Sequence, residues 1–189
     1  MQRVMKACVI CAVAAVVLAP VRARADGYVT PWLGVNFLDR TDAGSRTYGV
    51  TTGYMGGGVF GFEADFAYAP EFFILNDALG KRRAVTTLGN FILGIPIGGT
   101  HGAGVRPFVT GGFGLMWTHL DTGGLVDVSR NEFCYELGAG MMGFFTNHFG
   151  LRGDLRYLRT LNDTILGSEF DLNAGRLHFW RLSGGVTFR

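Results

Sequence analysis

The chain has 189 residues, of which 48% are hydrophobic, and its formal net charge is +2 at pH 7. Four of its 17 basic residues and none of its 15 acidic residues lie in the first 25 positions, so the remainder is slightly acidic. The basic balance belongs to the N-terminal segment, and it gives no reason to expect a nucleic-acid partner.

The N-terminal segment has the layout of a secretory signal peptide. An apolar run over residues 7–19 follows two basic residues, and an A-x-A cleavage site ends at Ala25. The run is too short to span a bilayer. We therefore expect residues 1–25 to be removed on export and residues 26–189 to form one domain. Only Cys134 remains in that domain, so no intramolecular disulfide is predicted.

Eight later segments alternate apolar residues with polar or small ones. Nearly all begin or end at Gly, Pro, Asn or Asp, and no long amphipathic helix pattern separates them. Since side chains of a strand point to opposite faces with a period of two, each segment has one apolar and one polar face. The predicted strands span residues 28–37, 46–55, 59–68, 84–96, 107–117, 132–144, 149–160 and 177–188.

The predicted connections alternate between two kinds. Three are turns rich in Gly or Asn, and four are longer and carry charge. Short turns at one end and longer polar loops at the other are typical of an outer-membrane barrel. The turns span residues 55–58, 98–106 and 146–148, and the longer loops span 38–45, 71–83, 118–131 and 161–176.

The two faces favour a membrane barrel over a soluble sandwich. The polar face holds charges in mid-strand beside glycines such as Gly138 and Gly140, which suits the crowded lumen of a narrow barrel. The apolar face holds rows such as Phe60, Phe62 and Phe66, which a soluble monomer would have to cover. A soluble eight-stranded ligand-binding barrel would reverse the faces and leave the glycines unexplained. An aromatic girdle is expected at Tyr48, Tyr68, Trp117, Tyr157 and Trp180.

The inward charges have two interpretations. They line a selective pore, or they pair into a network that fills the lumen. Eight strands leave little room beyond side chains, so we favour the network. Its predicted members are Glu63, Asp65, Glu136, Arg152, Asp154, Arg156 and Arg181, with Glu63 or Asp65 as the expected partner of Arg156.

Three segments resemble the small outer-membrane β-barrel proteins of the OmpA, OmpX and opacity type, or a porin-family barrel domain. They are residues 61–70, residues 106–114 and residues 150–157, and the resemblance covers about Gly27 to Phe188. It implies an all-β, eight-stranded antiparallel up-and-down transmembrane barrel in the outer membrane of a Gram-negative-type bacterium. It is specific to the fold rather than to an activity. These proteins commonly end on an aromatic residue that the barrel-assembly machinery reads, whereas Arg189 follows Phe188 here.

No residue is assigned a catalytic, metal-binding or cofactor-binding role. The one local set with acyl-transfer chemistry is His119 with Asp121 and Ser129, and polar loops produce such sets easily. We expect a structural or surface-interaction protein, serving envelope integrity, adhesion or resistance through its external loops. Its expected partners are outer-membrane lipids, the assembly machinery and an unidentified surface partner. The alternatives are a narrow channel for small polar solutes and, with less support, a lipid-modifying enzyme.

Overall fold

The computed structural model describes residues 26–37, 44–72, 81–98, 102–121, 127–161 and 177–189. They form one closed barrel in which each strand pairs antiparallel with the next and the last strand pairs with the first. This confirms the predicted eight-stranded up-and-down β-barrel. The predicted signal peptide lies outside the described residues. The strands are β1 (Asp26–Phe37), β2 (Ser45–Gly56), β3 (Phe60–Ala69), β4 (Lys81–Gly94), β5 (Gly104–Asp121), β6 (Asp127–Phe144), β7 (Phe149–Thr160) and β8 (His178–Phe188).

Exposure alternates along the strands as the sequence pattern predicts. In β7, Leu151 and Leu155 are exposed, whereas Arg152 and Asp154 are buried. The barrel is therefore apolar outside and charged inside, which is the reverse of a soluble ligand-binding barrel. Among the described residues, no helix is long and apolar enough to cross a membrane.

The connection between β2 and β3 shows how the short turns are made. Gly57 and Gly58 have φ angles of 58° and 71°, a left-handed conformation that residues with a Cβ rarely adopt. The Val59 amide donates to the Gly56 carbonyl at 3.1 Å and closes the turn. The predicted third strand began at Val59, and alternation from Glu63 through Gly61 would place Val59 on the inner face. This is wrong, because the strand begins one residue later, at Phe60, and the Val59 side chain is exposed.

The hairpin of β5 and β6 is longer than the sequence pattern indicates. Both strands have 18 residues and pair as far as Asp121 with Asp127, so most of the predicted loop over residues 118–131 is strand. The physical reason is that the alternation of apolar residues marks only the part of a strand that contacts lipid. Beyond the membrane both faces of a hairpin meet water, so its residues are polar although the backbone pairing continues.

The exterior of the barrel is a continuous apolar surface. Leu33, Phe113 and Leu137 expose 71%, 68% and 59% of their surface, far beyond what a water-facing barrel of this size would leave uncovered. These residues lie at mid-strand on β1, β5 and β6. An exterior of this kind requires an apolar environment such as a bilayer, where the outward side chains contact lipid tails.

Aromatic side chains gather at the end of the barrel that carries the longer connections, which we call the long-loop end. The rings of Tyr48 and Tyr68 contact edge to face with centroids 5.6 Å apart, and those of Tyr157 and Trp180 are 5.1 Å apart. Trp117 lies opposite Val85 in the same zone. This is the position expected of a girdle at the lipid headgroups.

The lipid-facing role of the exterior can be tested at two positions on β6. Leu137→Arg puts a charge at mid-strand and is expected to lower the free energy of unfolding by about 2–4 kcal/mol, whereas Asn131→Arg, at the long-loop end, costs about 0–1 kcal/mol. Urea unfolding of the barrel in lipid vesicles measures both. Equal costs at the two positions would mean that Leu137 does not contact the bilayer centre.

Candidate functional site: the charged lumen

Seven charged side chains meet at mid-height in the lumen. They come from the inward faces of β3, β6, β7 and β8, and each residue is at most 6% exposed. Four are carboxylates and three are arginines, so the two signs nearly balance. We call these seven residues the charge belt: Glu63, Asp65, Glu136, Arg152, Asp154, Arg156 and Arg181.

Arg152 joins β7 to β3 across the lumen. Its guanidinium donates to both oxygens of Glu63, with an Nη2–Oε2 distance of 3.1 Å, and its Nε donates to Asp154 at 2.8 Å. The Tyr28 hydroxyl donates to the same Glu63 carboxylate. Arg152 also lies over the Phe108 ring, 4.4 Å from its centroid. A bidentate pair of this kind is among the strongest that a protein makes.

Arg156 is the centre of the charge belt because it approaches all four carboxylates. It donates to Glu136 at 2.8 Å and to Asp154 at 3.0 Å. Its distances to Glu63 and Asp65 are 3.6 and 3.7 Å. The sequence pattern indicated one of these last two as the main partner, but the residues that Arg156 contacts most closely are Glu136 and Asp154.

Arg181 completes the charge belt from β8. Its Nη2 donates to Asp65 at 2.6 Å and lies 3.6 Å from Glu136. The guanidinium stacks over the Trp32 ring at 4.6 Å, which is a favourable cation–π geometry. Thr51 donates a further hydrogen bond to Asp65 at 2.7 Å. Each of the three arginines therefore contacts two or more carboxylates.

Uncharged residues that the sequence analysis did not single out support the charge belt. Trp32 donates to Thr51 at 3.1 Å, and Ser183 donates to Asp154 at 2.6 Å. Together with Tyr28 they orient the carboxylates from β1, β2 and β8. The period-two alternation in the sequence of β1, β2 and β8 places these residues on inner faces as well, so the sequence does indicate their position.

Arg106 is a further buried arginine, placed by the sequence analysis in a turn. It lies on β5 and is 2% exposed. Its Nη1 is 3.7 Å from the Met55 sulfur, and its guanidinium carbon is 5.4 Å from the centroid of the Phe144 ring. The sequence does indicate the inward position of Arg106, because it precedes the inward-facing Phe108 by two residues and side chains alternate along a strand.

Glycines on the inner face make room for the largest lumen side chains. A methyl group at Gly138 would come within 2.9 Å of the Arg156 side chain, and one at Gly140 within 2.6 Å of the Phe108 ring. Because these two positions have no side chain, Arg156 and Phe108 can lie close to the backbone of β6. This explains why small residues alternate with charged ones along the polar faces.

Apolar layers lie on both sides of the charge belt. Towards the short turns, buried side chains of six residues form one cluster, and towards the long-loop end eight residues form another. Both clusters consist of buried side chains, so the charge belt lies between two apolar layers. The first cluster is Tyr28, Met55, Ile92, Phe108, Met142 and Phe144; the second is Ala69, Phe72, Ala84, Leu88, Met116, Cys134, Leu158 and Phe179.

A small pocket lies beside the layer at the long-loop end. It is lined by Asn36, Thr47 and Thr86 and reaches Arg181 at its base. The charge belt closes it from below, because Arg181 is held by Asp65 at 2.6 Å. The pocket is therefore a recess and not a passage.

The backbone register brings the residues considered for catalysis to neighbouring positions of β5 and β6, where only the His119 side chain is among those described. His119 and Ser129 are paired positions of β5 and β6, while His178 lies on β8 beside the Tyr157 ring. The side chains of Ser129 and Asp121 are outside those described. In the described part of the chain, no three His, Cys, Asp or Glu side chains cluster in a way that would hold a metal ion.

A closed eight-stranded barrel with an apolar exterior and a charged lumen defines the class of small outer-membrane barrel proteins. The family model described as "Outer membrane protein beta-barrel domain" matches residues 8–179. The chain belongs to this family, and the protein resides in the outer membrane of a Gram-negative-type bacterium, embedded in its lipids. This confirms the resemblance and the localisation that the sequence indicated.

Solved barrels share the fold at low sequence identity. Neisserial surface protein A (NspA) is 16% identical, with a TM-score of 0.64, and the match covers 88% of this chain and 99% of NspA. The N-terminal barrel domain of Pseudomonas aeruginosa OprF is 17% identical, with a TM-score of 0.53 and coverage of 87% and 98%. Ail of Yersinia pestis, in complex with the heparin analogue sucrose octasulfate, is 15% identical, with a TM-score of 0.51 and coverage of 87% and 97%. No curated protein matches the chain significantly in sequence.

Removing the central arginine tests the energetics of the charge belt. Arg156→Ala leaves Glu136 with Arg181 at 3.6 Å as its nearest arginine, so the free energy of unfolding is expected to fall by about 3–5 kcal/mol. Adding Glu136→Gln should recover part of that loss, because the two residues are coupled.

The matched control for these two variants is Arg83→Ala. Arg83 is exposed on the outer face, so its replacement should change the free energy of unfolding by less than about 0.5 kcal/mol. Equilibrium unfolding in detergent micelles, followed by tryptophan fluorescence, measures all four proteins. An effect of Arg156→Ala as small as that of Arg83→Ala would show that the belt does not stabilise the barrel.

Proposed function

We propose that the protein is a structural and surface-interaction protein of the outer membrane, whose lumen is filled by the charge belt and whose contacts with the surroundings are made at the long-loop end. The observation that carries the proposal is the charge belt, whose seven residues are each at most 6% exposed and pair across the lumen. A barrel whose lumen is filled in this way acts through its surfaces, and the exterior is already occupied by lipid. The long-loop end is then the part available to a partner.

The energetics of the lumen support a permanent filling. The four carboxylates and three arginines of the charge belt are held by hydrogen bonds from four different strands, and breaking such buried pairs is costly. An ion passing through would have to pass one apolar layer, displace these pairs and then pass the second apolar layer. Both barriers oppose conduction.

A sheet that rises above the barrel supports the surface role. Pairing of β6 with β7 stops at Cys134 with Thr160, and pairing of β3 with β4 stops at Ala69 with Ala84. From Cys134 to Asp127, β6 continues for about 23 Å paired with β5. In outer-membrane barrels the short turns are periplasmic and the longer connections extracellular, so this hairpin faces the cell exterior.

A barrel of the same fold illustrates such a role. Ail of Yersinia pestis is called the attachment invasion locus protein, and its complex holds a heparin analogue. The shared fold is compatible with a surface function for the present protein. The proposal itself rests on the filled lumen and on the raised hairpin of β5 and β6.

The raised hairpin provides the test of the surface role. Replacing residues 120–128 with an Asn-Gly turn removes the tip of the hairpin. His119 and Ser129 then remain as a cross-strand pair beside the new turn. In cells that lack the wild-type protein, we expect this variant to insert into the outer membrane and to restore the exclusion of a dye by the envelope. It should not restore the adhesion of the cells to a surface or their resistance to environmental factors. The matched control joins Ile97 to Val105 in the same way at the opposite end, where the two residues already form a bridge. A tip variant that restores every phenotype would contradict the surface role.

Conductance distinguishes the proposal from the channel alternative. The refolded wild-type barrel is expected to show no stable single-channel steps in a planar bilayer, because the belt and the apolar layers block the lumen. Arg156→Ala tests the origin of any current, since this residue lies at the centre of the lumen. Steps in the wild type whose ion selectivity changes in Arg156→Ala would replace the filled lumen with a pore.

A further inference from the structure

The three arginines of the charge belt differ in the partner of their Nε atom. In Arg152 and Arg156 this atom donates to the carboxylate of Asp154, at 2.8 and 3.0 Å. In Arg181 the contacts to carboxylates are made by Nη2 instead. The Nε atom of Arg181 is buried and has no hydrogen-bond partner among the described residues. A buried N–H group without a partner costs free energy, so we expect a further group that accepts its hydrogen bond.

Two other side chains that line the recess at the long-loop end share this property with Arg181. The Oδ1 atom of Asn36 and the Oγ1 atom of Thr86 are buried and, in the part of the chain that the structure describes, have no hydrogen-bond partner. Asn36 lies directly opposite Arg181 across the pairing of β1 with β8, and Thr86 lies on β4. All three residues are at most 5% exposed. Three buried polar groups without partners that line one recess indicate a ligand that they share.

The size of the recess limits what this ligand can be. Alanines form much of its wall, namely Ala67 and Ala69 on β3 and Ala84 on β4. The volume is about 10 Å³, and a single water molecule needs about 10–15 Å³ measured in this way. The recess therefore accepts a ligand with one non-hydrogen atom.

The charges around the recess favour a neutral ligand. The guanidinium of Arg181 repels a cation. An anion would be repelled by Asp65 and Glu136, whose carboxylates lie 2.6 and 3.6 Å from the same guanidinium. The Asn36 Oδ1 atom can only accept hydrogen bonds, so it also opposes an anion. A water molecule is neutral and can accept one hydrogen bond while it donates two others.

We propose that the recess binds one water molecule, which accepts a hydrogen bond from Arg181 Nε and donates to Asn36 Oδ1 and Thr86 Oγ1. Buried waters typically make about three hydrogen bonds to polar groups that otherwise lack partners, and this set supplies three. The water links Arg181 to β1 and β4, two strands that carry none of the seven charges of the belt. The site does not depend on the proposed surface role.

Nuclear magnetic resonance of the barrel folded in detergent micelles tests the site, because each arginine Nε–H group gives its own signal. We expect a nuclear Overhauser effect between water and the Nε–H proton of Arg181, and none at Arg152 or Arg156, whose Nε atoms donate to Asp154. The same measurement in the rotating frame distinguishes a bound water from exchange of the proton with solvent.

A recess-filling variant and a matched control locate the water. Ala67→Val fills the recess and should abolish the effect at Arg181. Ala139→Val makes the same change at an exposed alanine on the outer face of β6 and should leave the effect unchanged. Should Ala67→Val fail to fold, Ala69→Val fills the same recess, and the comparison of the three arginines in the wild type needs no variant.

Four results would overturn the proposal. The first is the lack of an effect at Arg181 in the wild type, and the second is an equal effect at all three arginines, which would mean that the whole lumen is hydrated. The third is an effect that persists in a folded recess-filling variant. The fourth is an Arg181 signal that shifts with the concentration of chloride but not with that of sulfate, which is too large for the recess, since this would indicate a halide ion in place of water.

Discussion

Ion pairing across a narrow lumen is the interaction on which the rest of this structure depends. Closing eight strands into a barrel directs half of each strand's side chains into a space only wide enough for the side chains themselves. Charges buried there are stable only when paired, and Arg152, Arg156 and Arg181 each contact two or more carboxylates. The pairs join β7 and β8 to β3 and β6, so they also hold the opposite walls together.

The charge belt lies between two apolar layers, and the outward side chains contact lipid. The two ends of the barrel face the aqueous compartments on either side of the membrane. The long-loop end is distinct because it carries the raised hairpin of β5 and β6. The proposed surface role rests on this end of the barrel.

The sequence pattern predicts the two faces of a strand well and the extent of a strand poorly. The face of every residue from Phe60 to Tyr68 on β3 follows from alternation alone, and the structure agrees. The extent of β5 and β6 did not follow, because their upper parts are polar on both faces and resemble a loop. Arg106 was overlooked for a related reason, since glycines and a proline around it resemble a turn.

The sequence by itself determined the number of strands and, within most of each strand, which face is apolar and which is polar, because a period of two is read within one strand. The tertiary structure alone decided which charges meet. Glu63 and Arg152 are separated by 89 positions in the chain, and their contact depends on the register accumulated over the strands between them. The same holds for Asp65 and Arg181, which are separated by 116 positions and meet only when all the strands between them pair in a particular register. A shift of one residue in a strand would turn its inward charges towards the lipid.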